Sequence, residues 1–138
     1  MKTRATKAKE IKRHWHLIDL KDQILGRVST QIAGLLQGKD KVYFTSNLDY
    51  GDYVVAINAL NIKLTGNKAK QKVYYRHSGY PGGLREISFS QQMAKDPRKV
   101  ILLAVRNMLP KNKLRSGRLR RLRVFSDAEH NYQDKFKK

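Results

Sequence analysis

The sequence predicts an α/β domain in which helices cover a small, mainly parallel sheet. A strand-like segment is followed directly by an amphipathic helix, which is the order of a βαβ unit. The later segment YVVAIN (53–58) is apolar without interruption, which is typical of a parallel strand covered on both faces. The chain has 138 residues, of which 40% are hydrophobic, so one domain with a core of ordinary size is expected.

The first predicted elements are a strand and a helix. The segment HWHLIDL (14–20) mixes Trp, Leu and Ile and predicts a buried strand. Apolar residues at helical spacing predict a helix over 25–37, with Asp22 as a possible N-cap and Gly38 at its end. Residues 39–52 are expected to form a polar loop before the second strand.

The middle of the chain alternates short elements with turns. The segment NIKL (61–64) is expected to be a short third strand. The segment NKAKQK (67–72) follows turn-forming residues and is expected to make one or two helical turns. Because HSGYPGGL (77–84) contains three Gly and one Pro, it is expected to be a loop.

Two helices and a last strand are expected in the C-terminal part. An Asp-Pro pair is a clear helix start, since Asp caps the helix and Pro fits its first turn. The expected elements are a short helix at 90–95 capped by Ser88 or Ser90, a helix at 97–109 that begins at Asp96-Pro97 and ends before Pro110, and a strand at 122–126 with Leu122 and Val124 on one face.

We expect one domain over residues 1–138, with a basic arm (1–13), a folded core (14–126) and a polar, frayed tail (127–138). The arm lacks the apolar segment of a secretory signal, although a mitochondrial transit peptide is an alternative. No apolar run approaches the roughly 18 residues of a membrane-spanning helix. The absence of cysteine excludes disulfides and thiolate metal sites.

The charge balance is the strongest indication of function. Thirty Lys and Arg residues oppose eleven Asp and Glu residues, which gives a formal net charge of +19. Such a charge attracts polyanions, and nucleic acid is the expected partner ahead of an anionic membrane. Residues 53–85 contain six cations and residues 97–126 contain ten, and neither stretch contains an acid. These stretches and the arm predict surfaces that lie against phosphate.

The segment KNKLRSGRLRRLR (111–123) is the most basic of these stretches. We expect a loop that an anionic partner orders, because its like charges repel one another. Arg outnumbers Lys, and the guanidinium group binds phosphate through two hydrogen bonds or stacks on a base. Leu114, Leu119 and Leu122 are expected to attach the segment to the core, and Gly117 to allow close approach of the ligand. The alternative is a solvated basic loop.

The glycine-rich loop predicts a second surface, since aromatic residues and cations alternate around it. Such a surface is able to stack unpaired bases and hold the backbone between them. The alternative is an ordinary turn with buried tyrosines, and the two interpretations are compatible if one of Tyr74 and Tyr75 is buried.

The sequence gives only weak indications of a metal site or a catalytic site. His14 and His16 have spacing that suits a metal, but no further ligand is apparent. Asp49 and Asp52, with Asp40 nearby, offer a magnesium site for a nuclease, but hydrogen-bonding or capping roles are expected for them. A rival RNA-modifying enzyme or nuclease would need a catalytic set that the sequence does not offer. A rival membrane-surface protein would need an amphipathic cationic helix.

Four blocks of the sequence resemble one family in the same order. They are WHLIDLKDQILGRVST (15–30), LDYGDYVVAINALNIKLTGNK (48–68), KVYYRHSGYPGG (72–83) and VRNMLPKNKLRSGRLRRLRVF (105–125). On these residues the chain is similar to the L-thirteen (L13) family of large-subunit ribosomal proteins, in its bacterial form.

The resemblance implies a three-layer α/β/α fold with a mainly parallel four-stranded sheet, a basic N-terminal arm and long basic loops. It implies a structural, non-enzymatic role in binding large-subunit ribosomal RNA and in early subunit assembly. Neighbouring large-subunit proteins are the other expected partners. No cofactor, metal, membrane, small-molecule substrate or homo-oligomer is expected. The expected location is the large ribosomal subunit in the cytoplasm, or alternatively the ribosome of an endosymbiotic organelle.

The residues expected to bind RNA combine the three basic regions. They are Lys2, Arg4, Lys7, Lys9, Lys12, Arg13, Lys68, Lys70, Lys72, Tyr75, Arg76, His77, Ser78, Tyr80, Arg85, Lys111, Lys113, Arg115, Arg118, Arg120, Arg121 and Arg123.

Overall fold

A three-stranded parallel sheet in the order β1–β2–β5 organises the computed structural model, which describes residues 5–137. A separate antiparallel hairpin, β3–β4, comes between β2 and β5 in the sequence. The elements are β1 (Trp15–Asp19), α1 (Leu25–Gln37), β2 (Tyr53–Ile57), α2 (Lys68–Gln71), β3 (Val73–His77), β4 (Leu84–Ser88), α3 (Phe89–Lys95), α4 (Pro97–Met108), α5 (Leu114–Arg120) and β5 (Leu122–Val124), with 3-10 turns at Ala8–Glu10, Ala59–Asn61 and Gln133–Lys135.

The α/β class is confirmed, and the helices begin and end at recognisable residues. Helix α1 ends at Gly38, whose φ of 78° is accessible to glycine at little cost. Helix α3 begins at Ser88, which forms a capping box with Gln91. Helix α4 begins at Asp96, whose side chain accepts a hydrogen bond from the Arg98 amide at 3.2 Å. Asp22 does not cap α1, because the residue before the helix is Ile24.

The hydrophobic core lies between one face of the sheet and helices α1 and α4. Fully buried aliphatic side chains come from β2, α1 and α4, and each contributes roughly 1.5–3 kcal/mol through removal from water. They include Val54, Ile32, Leu36, Val100, Ile101 and Val105. The expected orientation of the last strand is confirmed, since Leu122 is buried in this core and Val124 packs against it.

The other face of the sheet carries the C-terminal segment. Trp15 stacks on Tyr53 with ring centroids 4.4 Å apart, and Tyr132 packs on Trp15 at 5.3 Å. Phe136 meets the edge of Trp15 at 6.4 Å. The expectation of a frayed tail is therefore wrong for the described residues up to 137. Aromatic side chains spaced within a polar sequence attach this segment, and such spacing leaves little periodic signal.

Two expected elements differ in the structure. The sheet has three strands rather than four, because residues 61–64 contribute only an isolated bridge between Lys63 and Ile24. Asp22 forms an ion pair with Lys63 at 2.6 Å beside this bridge. The expected loop at 77–84 is the tip of the β3–β4 hairpin, whose strands extend to His77 and resume at Leu84.

The connection 39–52 is more than a polar loop. Tyr50, Gly51 and Asp52 are buried, and the Tyr50 hydroxyl lies 2.8 Å from the Thr45 hydroxyl. Gly51 sits so close to α1 that a Cβ atom would overlap the carbonyl oxygen of Leu36. This tight passage positions Asp49 and Asp52 inside the domain, where each meets basic residues.

Candidate nucleic-acid interface

The β3–β4 hairpin gathers cations around an open hollow of about 650 Å³. The strand register places Arg76 directly opposite Arg85, and Lys95 at the end of α3 lines the same hollow. Within residues 5–137, none of these three cations forms an ion pair. Like charges directly across a strand pair are destabilising. An anion placed in the hollow would remove that repulsion.

The turn of the hairpin adds neutral hydrogen-bonding groups to this hollow. His77 and Ser78 line it, together with Gly82 and Gly83. The His77 Nδ1 atom accepts a hydrogen bond from the Gly79 amide at 2.8 Å, so its Nε2–H is left as a donor. A Cβ at Gly83 would overlap the Ser78 hydroxyl and lie 2.9 Å from the Tyr80 carbonyl oxygen, so this compact turn has no room for a side chain there.

Aromatic side chains and a basic helical turn flank the hairpin. Tyr75 is 66% exposed and Tyr80 is 75% exposed, whereas Tyr74 is half-buried against the core. Burial raises the pKa of Tyr74. The two interpretations of this region are therefore compatible, as expected: one tyrosine packs inside and its neighbours face solvent. The adjoining α2 carries two exposed lysines, Lys68 and Lys70, and the exposed Lys72 follows at its C-cap.

The expectation of a loop at 111–123 is wrong, because residues Leu114–Arg120 form helix α5. Leu119 and Leu122 attach it to the core as expected. In the segment 111–123, four cations are exposed and form no ion pair within the described chain, and Arg115 is half-buried. The exposed four are Lys111, Lys113, Arg120 and Arg123.

The remaining two arginines of this segment face inward. Arg121 donates to the Asp49 carboxylate at 2.6 Å and to the Leu36 carbonyl at 3.3 Å. Arg118 is 2% exposed, and its Nε lies 3.6 Å from the same carboxylate. A Cβ atom at Gly117 would lie 3.9 Å from this carboxylate, which is an ordinary contact distance, so the pairing with Asp49 does not itself require glycine there. An internal carboxylate therefore helps to order a segment for which we expected an external anion.

The N-terminal arm is attached at the same place. Arg13 donates hydrogen bonds to the carbonyl oxygens of Gly51 and Asp49. Lys41 donates to the Lys12 carbonyl at 2.5 Å. The side chains of Lys7, Lys9 and Lys12 are exposed, whereas Lys2 and Arg4 lie outside the described residues. The arm and α5 thus meet at the loop that carries Asp49.

Comparison with known proteins agrees with this geometry. Residues 13–131 match the sequence model of the family described as ribosomal protein L13. The chain belongs to the ribosomal protein L13 family. It is 48% identical over 130 residues to the large ribosomal subunit protein uL13 of Hahella chejuensis, covering 94% of this chain and 92% of the relative. It is 50% identical over 130 residues to uL13 of a Roseiflexus species, covering 94% and 89%.

In this L13 protein two acidic residues of the loop 39–52, Asp49 and Asp52, hold internal contacts. Asp52 accepts hydrogen bonds from Lys41 at 2.6 Å and from the His14 amide at 3.1 Å, and it lies 2.9 Å from His16 Nε2. Burial raises the pKa of Asp52, but the hydrogen bonds from Lys41, His16 and His14 outweigh it, so the pKa lies below its ordinary value. The expectation of hydrogen-bonding roles for Asp49 and Asp52 is confirmed.

The rival interpretations gain no support. A family of ribosomal proteins argues against the enzyme alternative, and His16 is occupied with Asp52. Within residues 5–137, no three potential metal ligands among His, Cys, Asp and Glu come together. No helix in the same part of the chain has the length and apolar character needed to cross a membrane.

Sequence reasoning for this L13 protein missed Lys95, which lines the hollow from α3. Its position follows from a hairpin that leads directly into a helix, since Ser88 ends β4 and caps α3. The sequence did contain a signal for this hairpin. Apolar and polar residues alternate on both sides of the Pro-Gly-Gly turn, and Tyr74 and Ile87 form an apolar cross-strand pair. Predicting this hairpin would have placed Lys95, in the last turn of α3, close to the hairpin cations.

Proposed function

We propose that this protein is a structural constituent of the large ribosomal subunit and binds large-subunit ribosomal RNA. In this role it helps to fix the RNA fold during early assembly, with other large-subunit proteins as neighbours. Membership in the L13 family supports the role, and relatives from bacteria favour a bacterial-type ribosome. The proposed RNA contacts are the exposed members of the predicted set.

The observation that carries this proposal is the separation of two kinds of cation. The carboxylates of Asp49 and Asp52 are occupied by Arg118, Arg121 and Lys41 inside the domain. The cations of the hairpin, of α2 and of the outer side of α5 remain exposed. A fold that pairs its internal carboxylates with basic residues and leaves many further cations outside presents a surface suited to phosphate.

The mechanism is the selection of one RNA conformation by a rigid body. The sheet, α4 and α5 hold the basic surfaces at fixed positions, and the arm is attached through Arg13. RNA segments that match those positions are bound more tightly than the same segments in other arrangements. Binding shifts the RNA equilibrium by the difference in affinity between the arrangements. Phosphate contacts supply most of the affinity and little sequence discrimination.

A filter-binding titration with large-subunit ribosomal RNA tests the proposal. If about ten phosphates are neutralised, affinity falls by about 10³–10⁵ between 50 and 200 mM salt. Sedimentation of tagged protein through a sucrose gradient is expected to place it in the large subunit. Affinity that is indifferent to salt, together with absence from the large subunit, would contradict the proposal.

A further inference from the structure

The part of the β3–β4 hairpin beyond Tyr74 and Ile87 is exposed on both faces. We call residues 75–86 the distal hairpin. Its cross-strand pairs are Tyr75 with Glu86, Arg76 with Arg85, and His77 with Leu84, and all six side chains are exposed. A two-stranded hairpin without packing partners is marginally stable in water. A partner that covers both faces would therefore stabilise the distal hairpin more than a partner that covers one face.

The two faces differ in chemistry. Alternation along a strand sends neighbouring side chains to opposite faces. The pair Arg76–Arg85 therefore lies on one face, and the pairs Tyr75–Glu86 and His77–Leu84 lie on the other. The arginine face borders the hollow that Lys95 completes. Three unpaired cations around one hollow suit a phosphate group, which has several oxygens to accept their hydrogen bonds.

The opposite face does not suit phosphate. Tyr75 is 66% exposed and Leu84 is 54% exposed, which offers flat apolar surface. Glu86 stands directly across from Tyr75, and its carboxylate repels the RNA backbone. A carboxylate does accept hydrogen bonds from base amino groups, and a tyrosine ring stacks on an unpaired base. This face is therefore matched to bases.

We propose that the distal hairpin lies between two segments of RNA, with a backbone phosphate on the Arg76–Arg85 face and an unpaired base against Tyr75. This inference rests on the proposed RNA-binding function and adds that one hairpin joins two separate RNA segments. The RNA fold that brings those segments together is favoured, since only that fold uses both faces.

Two variants of the full chain test the arrangement, R76Q/R85Q and Y75S/L84S. For each variant, the affinity for large-subunit ribosomal RNA is measured by filter binding over a salt series. The RNA nucleotides that the bound protein protects are then mapped by chemical probing. We expect R76Q/R85Q to lower the logarithmic salt slope by about 1–2 and to remove protection from one RNA segment. We expect Y75S/L84S to leave the slope unchanged and to expose a base in a different segment.

The matched control is K21Q/K39Q, which removes two exposed cations outside the proposed contacts. It is expected to change neither the protections nor the salt slope appreciably. Loss of protection in the same single segment by both hairpin variants would overturn the inference. So would Y75S/L84S leaving every RNA protection intact while a neighbouring protein is lost from reconstituted subunits, because the outer face would then dock protein. Binding of RNA by the unaltered chain reports separately on the proposed function.

Discussion

Two pairs of arginines in this molecule stand in opposite electrostatic settings. Arg118 and Arg121 converge on the Asp49 carboxylate inside the domain, whereas Arg76 and Arg85 face each other across a hairpin with no carboxylate between them. The first pair stabilises the fold, and the second pair opposes it slightly until an anion arrives. A count of arginines in a basic sequence therefore does not identify the RNA interface. The positions of the few acids show which arginines are paired inside the domain and which stay exposed as proposed RNA contacts.

The largest effect expected from this comparison is on stability at Asp49. D49N removes the charge that Arg118 and Arg121 share, and leaves two buried guanidinium groups without a counter-charge. Breaking a buried ion pair in this way lowers the free energy of unfolding by about 3–5 kcal/mol. Urea denaturation followed by circular dichroism measures it. D134N is the control, because Asp134 is 88% exposed and makes only a surface pair with Lys137. Equal midpoints for both variants would contradict the assignment.

The second prediction separates cations within the α5 segment. R118Q/R121Q is expected to lower the free energy of unfolding by about 2–4 kcal/mol, because it leaves Asp49 unpaired. R120Q/R123Q changes the same residue types at exposed positions and is expected to stay within about 0.5 kcal/mol of the unaltered chain.

RNA binding completes this test of the segment. R120Q/R123Q is expected to reduce the logarithmic salt slope by about 2, since each exposed arginine neutralises about one phosphate. Filter binding over a salt series measures the slope. An unaltered slope for R120Q/R123Q would remove Arg120 at the end of α5 and Arg123 in β5 from the proposed interface.

The third prediction uses acid to weaken the internal pairing. Since the pKa of Asp52 is lowered in the folded protein, its contribution to stability is fully present above its ordinary pKa of 3.8. That contribution is lost as the pH falls through the lowered folded value. Denaturation midpoints measured from pH 6 downward are expected to fall less steeply below pH 4 for D52N than for the unaltered chain. Identical slopes would show that Asp52 does not carry this dependence.

The smallest effect is expected at the hairpin, and its sign is opposite. R76Q/R85Q removes a like-charge pair and is expected to leave stability unchanged or to raise it by up to about 1 kcal/mol in the absence of RNA. Thermal denaturation of the free protein measures this difference. A clear loss of stability would mean that the two arginines support the fold, and the comparison with Arg118 and Arg121 would fail.

The fold was predictable where the signal is local. Helix α1 shows its period within thirteen residues and ends at Gly38, and Asp96-Pro97 announces α4. Helix α5 was not predictable in the same way, because its inward side combines Leu119 with the buried Arg118 instead of a repeated apolar pattern. The carboxylate that makes this burial possible lies 72 residues away from Arg121. Long-range charge pairing of this kind leaves no periodic pattern in the sequence.

The candidate site divides along the same line. Lys111, Lys113, Arg120 and Arg123 were predicted as exposed contacts and are exposed, since nothing distant competes for them. Arg118 and Arg121 belonged to the same predicted set but are buried inside the domain. The C-terminal segment was predicted to be frayed because its composition is polar. Two aromatic side chains, Tyr132 and Phe136, nevertheless attach it to Trp15.

The meeting point at Gly51 and Asp49 has a consequence for how the chain is made. Asp49 leaves the peptidyl-transferase centre long before Arg118 and Arg121, and β5 follows only after them. Until those late residues have been synthesised, the nascent chain lacks the counter-charge for Asp49 and the last strand of its sheet. The domain is therefore completed only after residue 124 has been synthesised, and a polypeptide cut short before residue 118 lacks both the counter-charge for Asp49 and the last strand of the sheet.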